Sequence, residues 1–253
     1  MRGLPPQYRP TGPDLKEMFA NWGNLCCAWL MTAAAAFVVV IEPGLRSVLA
    51  FLFFGSGLVL AEGTRRARLD DRTRARVEPF RRRLRRGDVD GYGWLLRVLA
   101  DLDGRTPRAR RRSRVALDAI AAEQRLMDGL IVHCRRRQVS VAVFAGRLGR
   151  WGAGALTPAL ASLHPDGRVR EAAVTAMGRR TRAGHLPFLV ERAVDWVPQV
   201  RAAAHGVLRT LLERRPQLLA PAGPAAARVA RRRHAPALQR LLDVTPGESA
   251  APD

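Results

Sequence analysis

Lysine is almost missing from this 253-residue chain: of its 43 basic residues only Lys16 is one, and the rest are arginine. Acids are scarce too, 22 in all, which leaves a formal net charge of +21. Such a balance permits binding to nucleic acid or anionic lipid but dictates no fold. A GC-rich coding sequence, with its surplus of Arg, Ala, Gly and Pro, produces the same bias, so charge alone assigns no ligand. The three cysteines, Cys26, Cys27 and Cys134, form no C-x-x-C and no evenly spaced set. That excludes a disulfide framework and argues against a secreted domain. Aromatics make up 6% of the chain, with two tyrosines, which is a poor supply for stacking single-stranded bases.

Catalytic patterns are missing as well. Lys16 lies outside any Gly-Lys-Ser/Thr context, and Gly91-Tyr92-Gly93 lacks the third glycine of a dinucleotide loop. His133, His164, His185, His205 and His234 show no metal-ligand spacing. Cys134 follows His133 but precedes three arginines, with no base placed to activate it. No catalytic residue, metal ligand or cofactor is therefore expected, and the chain reads as non-enzymatic. No strand alternation interrupts residues 64–243, so the fold class is all-α.

Two long apolar runs are present. Residues 20–41 carry no charge, and at ~1.5 Å per residue they reach about 33 Å, enough for a bilayer core of ~30 Å. Glu42-Pro43-Gly44 breaks the run, and residues 45–61 follow with Arg46 as their one charge, placed where a long side chain reaches the headgroups. A connection this short joins antiparallel neighbours, so residues 20–61 predict a two-helix transmembrane hairpin. Ala28, Thr32 and Ala36 share one face of the first helix, and Gly57 and Ala61 make a small pair in the second, as close helix approach in lipid requires. Residues 65–86 then hold 11 Arg against 3 acids. The positive-inside rule places this flank, and with it both termini, in the cytoplasm of an integral membrane protein. Two other readings of the runs stand beside this one: a signal peptide cleaved near Ala33-Ala34-Ala35, and a buried core hairpin in a soluble protein.

The organisation expected is a cytoplasmic tail (1–19), the hairpin (20–61), a basic helical segment (62–125), a repeat region (126–243) and a frayed tail (244–253). In the basic segment Leu69, Val77, Phe80 and Leu84 share a helical face, Pro79 is expected to kink or divide the helix, and Gly87-Asp88 ends it. Arg65, Arg66, Arg68, Arg81, Arg82, Arg83, Arg85 and Arg86 are candidate contacts to anionic lipids. A solvated helix whose charges only set topology is the competing reading.

The repeats emerge from two aligned stretches. His164-Pro165-Asp166-Gly167-Arg168-Val169-Arg170 returns 31 residues later as Asp195-Trp196-Val197-Pro198-Gln199-Val200-Arg201, each opening an Ala-rich helix. Pro158 and Pro187, 29 apart, stand near the starts of the preceding helices, and Pro216 follows at the same interval. Residues 139–149 resemble the second helix of an earlier unit, and Ala225–Arg233 would supply the second helix of a last, degenerate one. Ala172, Ala173, Ala202, Ala203 and Ala204 would let helices approach closely. The pattern of turn Asp, Val-Arg and Ala-rich helix resembles the short HEAT-like repeats of the phycobilisome-lyase type, best over residues 152–212. The resemblance implies a short α-solenoid of stacked helix pairs in which Asp166, Val169, Arg170, Asp195, Val200, Arg201, Pro158 and Pro187 hold turns and helices.

Three functions follow as expectations. The first is a membrane-anchored scaffold that binds a protein partner at the cytoplasmic membrane surface, where anionic lipids are further partners. The second is nucleic-acid binding through Arg150, Arg168, Arg179, Arg180 and Arg182, with Arg231–Arg233. The third, implied only by the resemblance, is an accessory to a lyase.

Overall fold

The computed structural model describes residues 15–41, 44–86, 91–136, 141–149, 153–219 and 222–243, without side chains for 15–25, 45–47, 83, 85, 218 and 219. Both predicted tails beyond these bounds, the Glu42-Pro43 break, the Gly87-Asp88 stop and Arg150 lie outside the described residues. Every regular element is helical: α1 (Leu15–Ile41), α2 (Leu45–Arg85), α3 (Gly91–Leu102), α4 (Pro107–Ala121), α5 (Gln124–Arg136), α6 (Ala142–Ala145), α7 (Leu156–Ala161), α8 (Gly167–Arg179), α9 (Leu186–Ala193), α10 (Pro198–Arg214), α11 (Ala222–Val229) and α12 (Ala235–Asp243). Short 3-10 turns at Ala183–His185 and Pro216–Leu219 precede α9 and α11. The all-α expectation holds among the described residues. The chain divides into two compact units, and among the described residues the division falls within α2, between Ala75 and Arg76.

In the first unit one helix, over Val48–Arg82, is long and apolar enough to cross a membrane, and α1 adds a shorter apolar stretch, Cys26–Ile41. Thr32 Oγ1 donates to the carbonyls of Ala28 (2.8 Å) and Phe54 (3.1 Å), which brings α1 and α2 together. Around Thr32 the stripe Ala28, Ala35, Ala36 and Val39 is at least half covered, as the small-residue face predicted. On α2 the matching stripe is Phe54, Gly55, Leu58 and Ala61. Gly57 is not in it: it is exposed, with nothing within 4 Å of where a Cβ would stand. At about 100° per residue Gly57 lies about 60° around the helix from Phe54, on the side away from Gly55 and Leu58, so of the predicted Gly57–Ala61 pair only Ala61 falls in the covered stripe.

The basic flank departs further from expectation. α2 runs unbroken past Glu62-Gly63 and through Pro79. A proline forfeits one backbone hydrogen bond, and here tertiary packing offsets that loss: Val77 and Phe80 on either side of it are fully buried in the core of the second unit, with Leu84 packed against them. That face cannot also lie on lipid headgroups. The second unit thus begins at Arg76, well ahead of the repeats.

Helices of the second unit carry the 3.6-residue signature. α4 buries Ala109, Ser113, Ala116, Leu117 and Ile120 as one stripe, and α10 buries Val200, Ala204, Leu208 and Leu211 as another. Thr106 caps α4 by accepting from Ala109 N (3.1 Å), ahead of Pro107, whose missing N–H costs nothing at a first helical position. Contacts run α7 to α8, α9 to α10, α8 to α10 and α9 to α11, while α12 touches α10. The helix expected over Ala225–Arg233 has other bounds: α11 spans Ala222–Val229 and packs against α9, and Arg231–Arg233 lie in the turn before α12. Upstream, α6 is a four-residue turn and Gly149 has a φ of +78°, so the described part of 139–149 is no full helix. Of the five alanines proposed to line the helix contacts, Ala173 and Ala204 are buried and Ala203 half-buried, whereas Ala172 and Ala202 face outward.

Candidate functional site

The repeat motif builds a charged centre. Asp166, exposed, caps α8 by accepting from Arg168 N at 2.8 Å. Arg170, on the buried stripe of α8, reaches back to the carbonyls of His164 (3.0 Å) and Pro165 (2.6 Å). Arg201, 31 residues on, likewise reaches the Asp195 carbonyl at 2.7 Å. The correspondence extends to the turns: His164 Nδ1 accepts from Asp166 N (3.1 Å), and Asp195 Oδ1 accepts from Val197 N (3.0 Å). His164 and Asp195 are thus equivalents, and Asp166 corresponds to Val197.

A carboxylate in that second position changes the chemistry. Asp195, buried, accepts a two-pronged bond from Arg170, 3.0 Å at each oxygen, and a third from Arg192 at 2.9 Å. Charge-assisted fork pairs of this kind are the strong ones. Beside it Glu191, fully buried, takes Arg232 at 2.6 Å and Arg135 at 3.3 Å, with Arg192 at 3.6 Å. Burial lowers the Arg192 pKa to about 10 against the opposing pull of Asp195 and Glu191, so its guanidinium stays charged at neutral pH. Two polar atoms in this cluster have no hydrogen-bond partner, Glu191 Oε2 and Arg192 Nε.

These residues line a pocket of about 440 Å³. Ile131, Leu163 and Val194 give it apolar walls, and Trp196, 77% exposed, stands at its edge with the Arg170 guanidinium 5.7 Å from its ring. The volume falls within the range of ligand pockets. Sequence reasoning took Asp195 and Arg170 as turn supports and missed Glu191, Arg192, Arg135, Arg232 and Trp196. The available signal was the charged pair Glu191-Arg192 inside the apolar helix Leu186–Ala193. Charges in a buried run require partners.

The other predicted residues are placed as follows. Pro158 and Pro187 are buried near the starts of α7 and α9, Val169 packs half-buried against the core and Val200 is fully buried. Arg168 and Arg179 line one open groove of about 600 Å³ along α8, together with Glu171, while Arg180 and Arg182 are exposed beyond its end. Burial, then the charge of Arg114, lowers the Arg182 pKa. Among the lipid candidates, Arg65 and Arg66 hold Glu62 at 2.8 and 2.7 Å, and Arg82 holds Glu78 at 3.1 Å. Arg81 bridges Glu78 (3.0 Å) and Glu123 (2.9 Å), tying α2 to the start of α5. Arg68 and Arg86 are exposed on the same stretch, and Arg83 and Arg85 lie on α2 by position.

One more polar cluster is structural. Ser113 donates to Asp103 Oδ1 at 2.5 Å and accepts from Leu156 N at 2.9 Å, and Thr157 donates to Asp103 Oδ2. The hydroxyls are committed to bonds that pin α4 to α7, and no histidine base joins them. Cys134 is buried, which pushes its thiol up to about 12 and leaves it unreactive at neutral pH. Among the described residues no three His, Cys, Asp or Glu side chains gather as a metal would require. Compared with protein-family models, curated proteins and solved structures, the chain matches none.

Proposed function

We propose that this chain is a membrane-anchored scaffold: residues 20–61 cross the membrane as a helical hairpin, both termini lie in the cytoplasm, and residues 126–243 of the helical body form a short HEAT-like solenoid that binds a protein partner at the membrane surface. The observation that carries the anchor is where apolar surface is left uncovered. Of seventeen large exposed apolar residues among those described, fourteen fall between Trp29 and Leu60. Leaving one such side chain in water forgoes roughly 1.5–3 kcal/mol relative to burial. A surface of fourteen calls for lipid, and the arginines of residues 65–86 fix its orientation. The solenoid reading is supported by the 31-residue recurrence of the Arg170 and Arg201 contacts and by the alternating stacking of α7 through α12. Stacked pairs of this type offer extended surfaces to proteins.

The test is topological. A C-terminally tagged chain should stay in membranes through an alkaline carbonate wash. Protease should cut the tag in inverted vesicles and spare it in intact spheroplasts. Release by carbonate would remove the anchor, and cutting in spheroplasts would reverse the orientation. Nucleic-acid binding is the second reading, favoured by one observation: Arg168 and Arg179 share a groove with Arg180 and Arg182 at its end. It predicts affinity for duplex DNA that falls steeply with salt, and salt-independent or absent binding eliminates it.

A further inference from the structure

The pocket around Glu191 and Asp195 has features that holding turns together does not require. Asp195 already pairs with both Arg170 and Arg192, yet Glu191 is buried beside it and draws Arg135 and Arg232 across from α5 and from the turn after α11. The lining holds four arginines against two carboxylates, an excess of positive charge. Arg135 remains 59% exposed while paired, so its guanidinium has donors free for a second acceptor. Glu191 Oε2, on the same wall, lacks a donor. Trp196 is the largest apolar side chain exposed among the described residues of this unit, and Trp and Arg are among the residue types that most often dominate protein interfaces.

We propose that this pocket is the docking site for an acidic peptide segment of the partner protein, with a carboxylate at Arg135 and Arg232, a backbone N–H at Glu191 Oε2 and an apolar side chain on Trp196. The inference rests on the scaffold reading and names the partner chemistry. A peptide fits better than a phosphate group. A phosphomonoester dianion has no donor to offer Glu191 and would meet two carboxylates at close range, whereas the amide beside a peptide carboxylate supplies the missing donor. Apolar walls at Ile131, Leu163 and Val194 suit a side chain and not a free anion.

The experiment uses the full chain in phosphatidylcholine nanodiscs to select from a displayed random heptapeptide library. The strongest selected peptide is then synthesised, labelled and titrated by fluorescence anisotropy. Selected sequences should combine Asp or Glu with a large apolar residue. Trp196→Ala, which touches an exposed side chain and leaves the fold intact, should weaken binding at least about tenfold. Arg135→Gln, which leaves Arg232 on Glu191, should do the same. Selected peptides without acids, equal affinity for both variants, or displacement of the peptide by inorganic phosphate or phosphatidylglycerol vesicles as readily as by unlabelled peptide overturns the proposal. A protein partner that binds both variants as tightly as the unaltered chain also overturns it while leaving the scaffold reading standing. Failure of the topology assay removes the anchor and leaves the peptide titration to judge the pocket.

Discussion

Asp166 and Asp195 look alike in sequence, each an aspartate in the turn before a Val-Arg pair, yet replacing them by alanine should have unequal effects. Asp166 is exposed and makes one capping bond to Arg168 N. Loss of such a cap costs about 1 kcal/mol. Asp195 is buried and is the closest carboxylate to Arg170 and Arg192, both themselves buried. Its removal takes away the charged partner of both guanidiniums, leaving Arg192 with Glu191 at 3.6 Å and Arg170 with the His164 and Pro165 carbonyls alone. Breaking a buried pair in this way costs about 3–5 kcal/mol. For a body of this size each kcal/mol moves Tm by about 2–4 °C. Asp195→Ala should therefore lower Tm by about 6–20 °C and Asp166→Ala by about 2–4 °C. Asp195→Asn, which keeps the shape and loses the charge, should fall between them. Thermal unfolding of the detergent-solubilised chain, followed by far-ultraviolet circular dichroism, measures all three. Equal shifts for Asp166→Ala and Asp195→Ala would refute the buried network as the stabilising feature of the repeat turns.

Other consequences follow from single residues. Burial depresses the His185 imidazole from 6.5 to about 4, with Nε2 3.0 Å from the Ala155 carbonyl. The unfolded chain therefore takes up a proton below about pH 6.5 that the folded chain refuses until about pH 4, so stability is full above that window and declines on acidification through it. His185→Gln should flatten the decline of Tm with pH, and an unchanged profile would exclude His185 as its source. Cys134, held near 12 by burial, should resist maleimide in the folded chain and react in denaturant, as mass spectrometry of the labelled peptide can read; prompt labelling of the native protein would place it at the surface. At Gly154 a Cβ would collide with the Asp103 carboxylate and the Ser113 side chain, whereas at Gly93 it meets nothing within 4 Å. Gly154→Ala should cost about 1–3 kcal/mol and Gly93→Ala should stabilise by about 0.4–1 kcal/mol, both measured as Tm; the opposite order would contradict the Asp103–Ser113–Thr157 pin.

Local signals that depend on neighbours in sequence were legible. The 31-residue recurrence located the turns that precede α8 and α10 and the Ala-rich helices themselves. Small residues at Ala28, Thr32 and Ala36 foretold the face of α1 that meets α2. The illegible features depend on partners far along the chain. Pro79 reads as a kink or division of the helix until Val77 and Phe80 are seen buried on either side of it. The bounds of Ala225–Arg233 shift to Ala222–Val229 where α11 packs against α9. Glu191 finds its arginines 56 residues before it and 41 after it, a separation that no pattern window spans.

The arginine surplus divides along the same line. On α2, Arg65, Arg66 and Arg82 reach carboxylates three or four residues away along their own helix. Lysine would serve such exposed or half-exposed pairs about as well, since they contribute little more than charge. There a genomic preference for arginine explains the residue choice. Arg170 is different: its planar head binds both oxygens of Asp195 and two backbone carbonyls at once. An ammonium has three donors and no fork, so lysine would leave at least one of these acceptors unmet in a buried site. Arginine's geometry is therefore used at Arg170, where the position 31 residues after His164 holds the carboxylate of Asp195. Asp195 gathers Arg170 and Arg192 beside Glu191, and Glu191 in turn holds Arg135 and Arg232, so the charge of the pocket with Trp196 at its edge rests on these two buried acids and the four arginines around them.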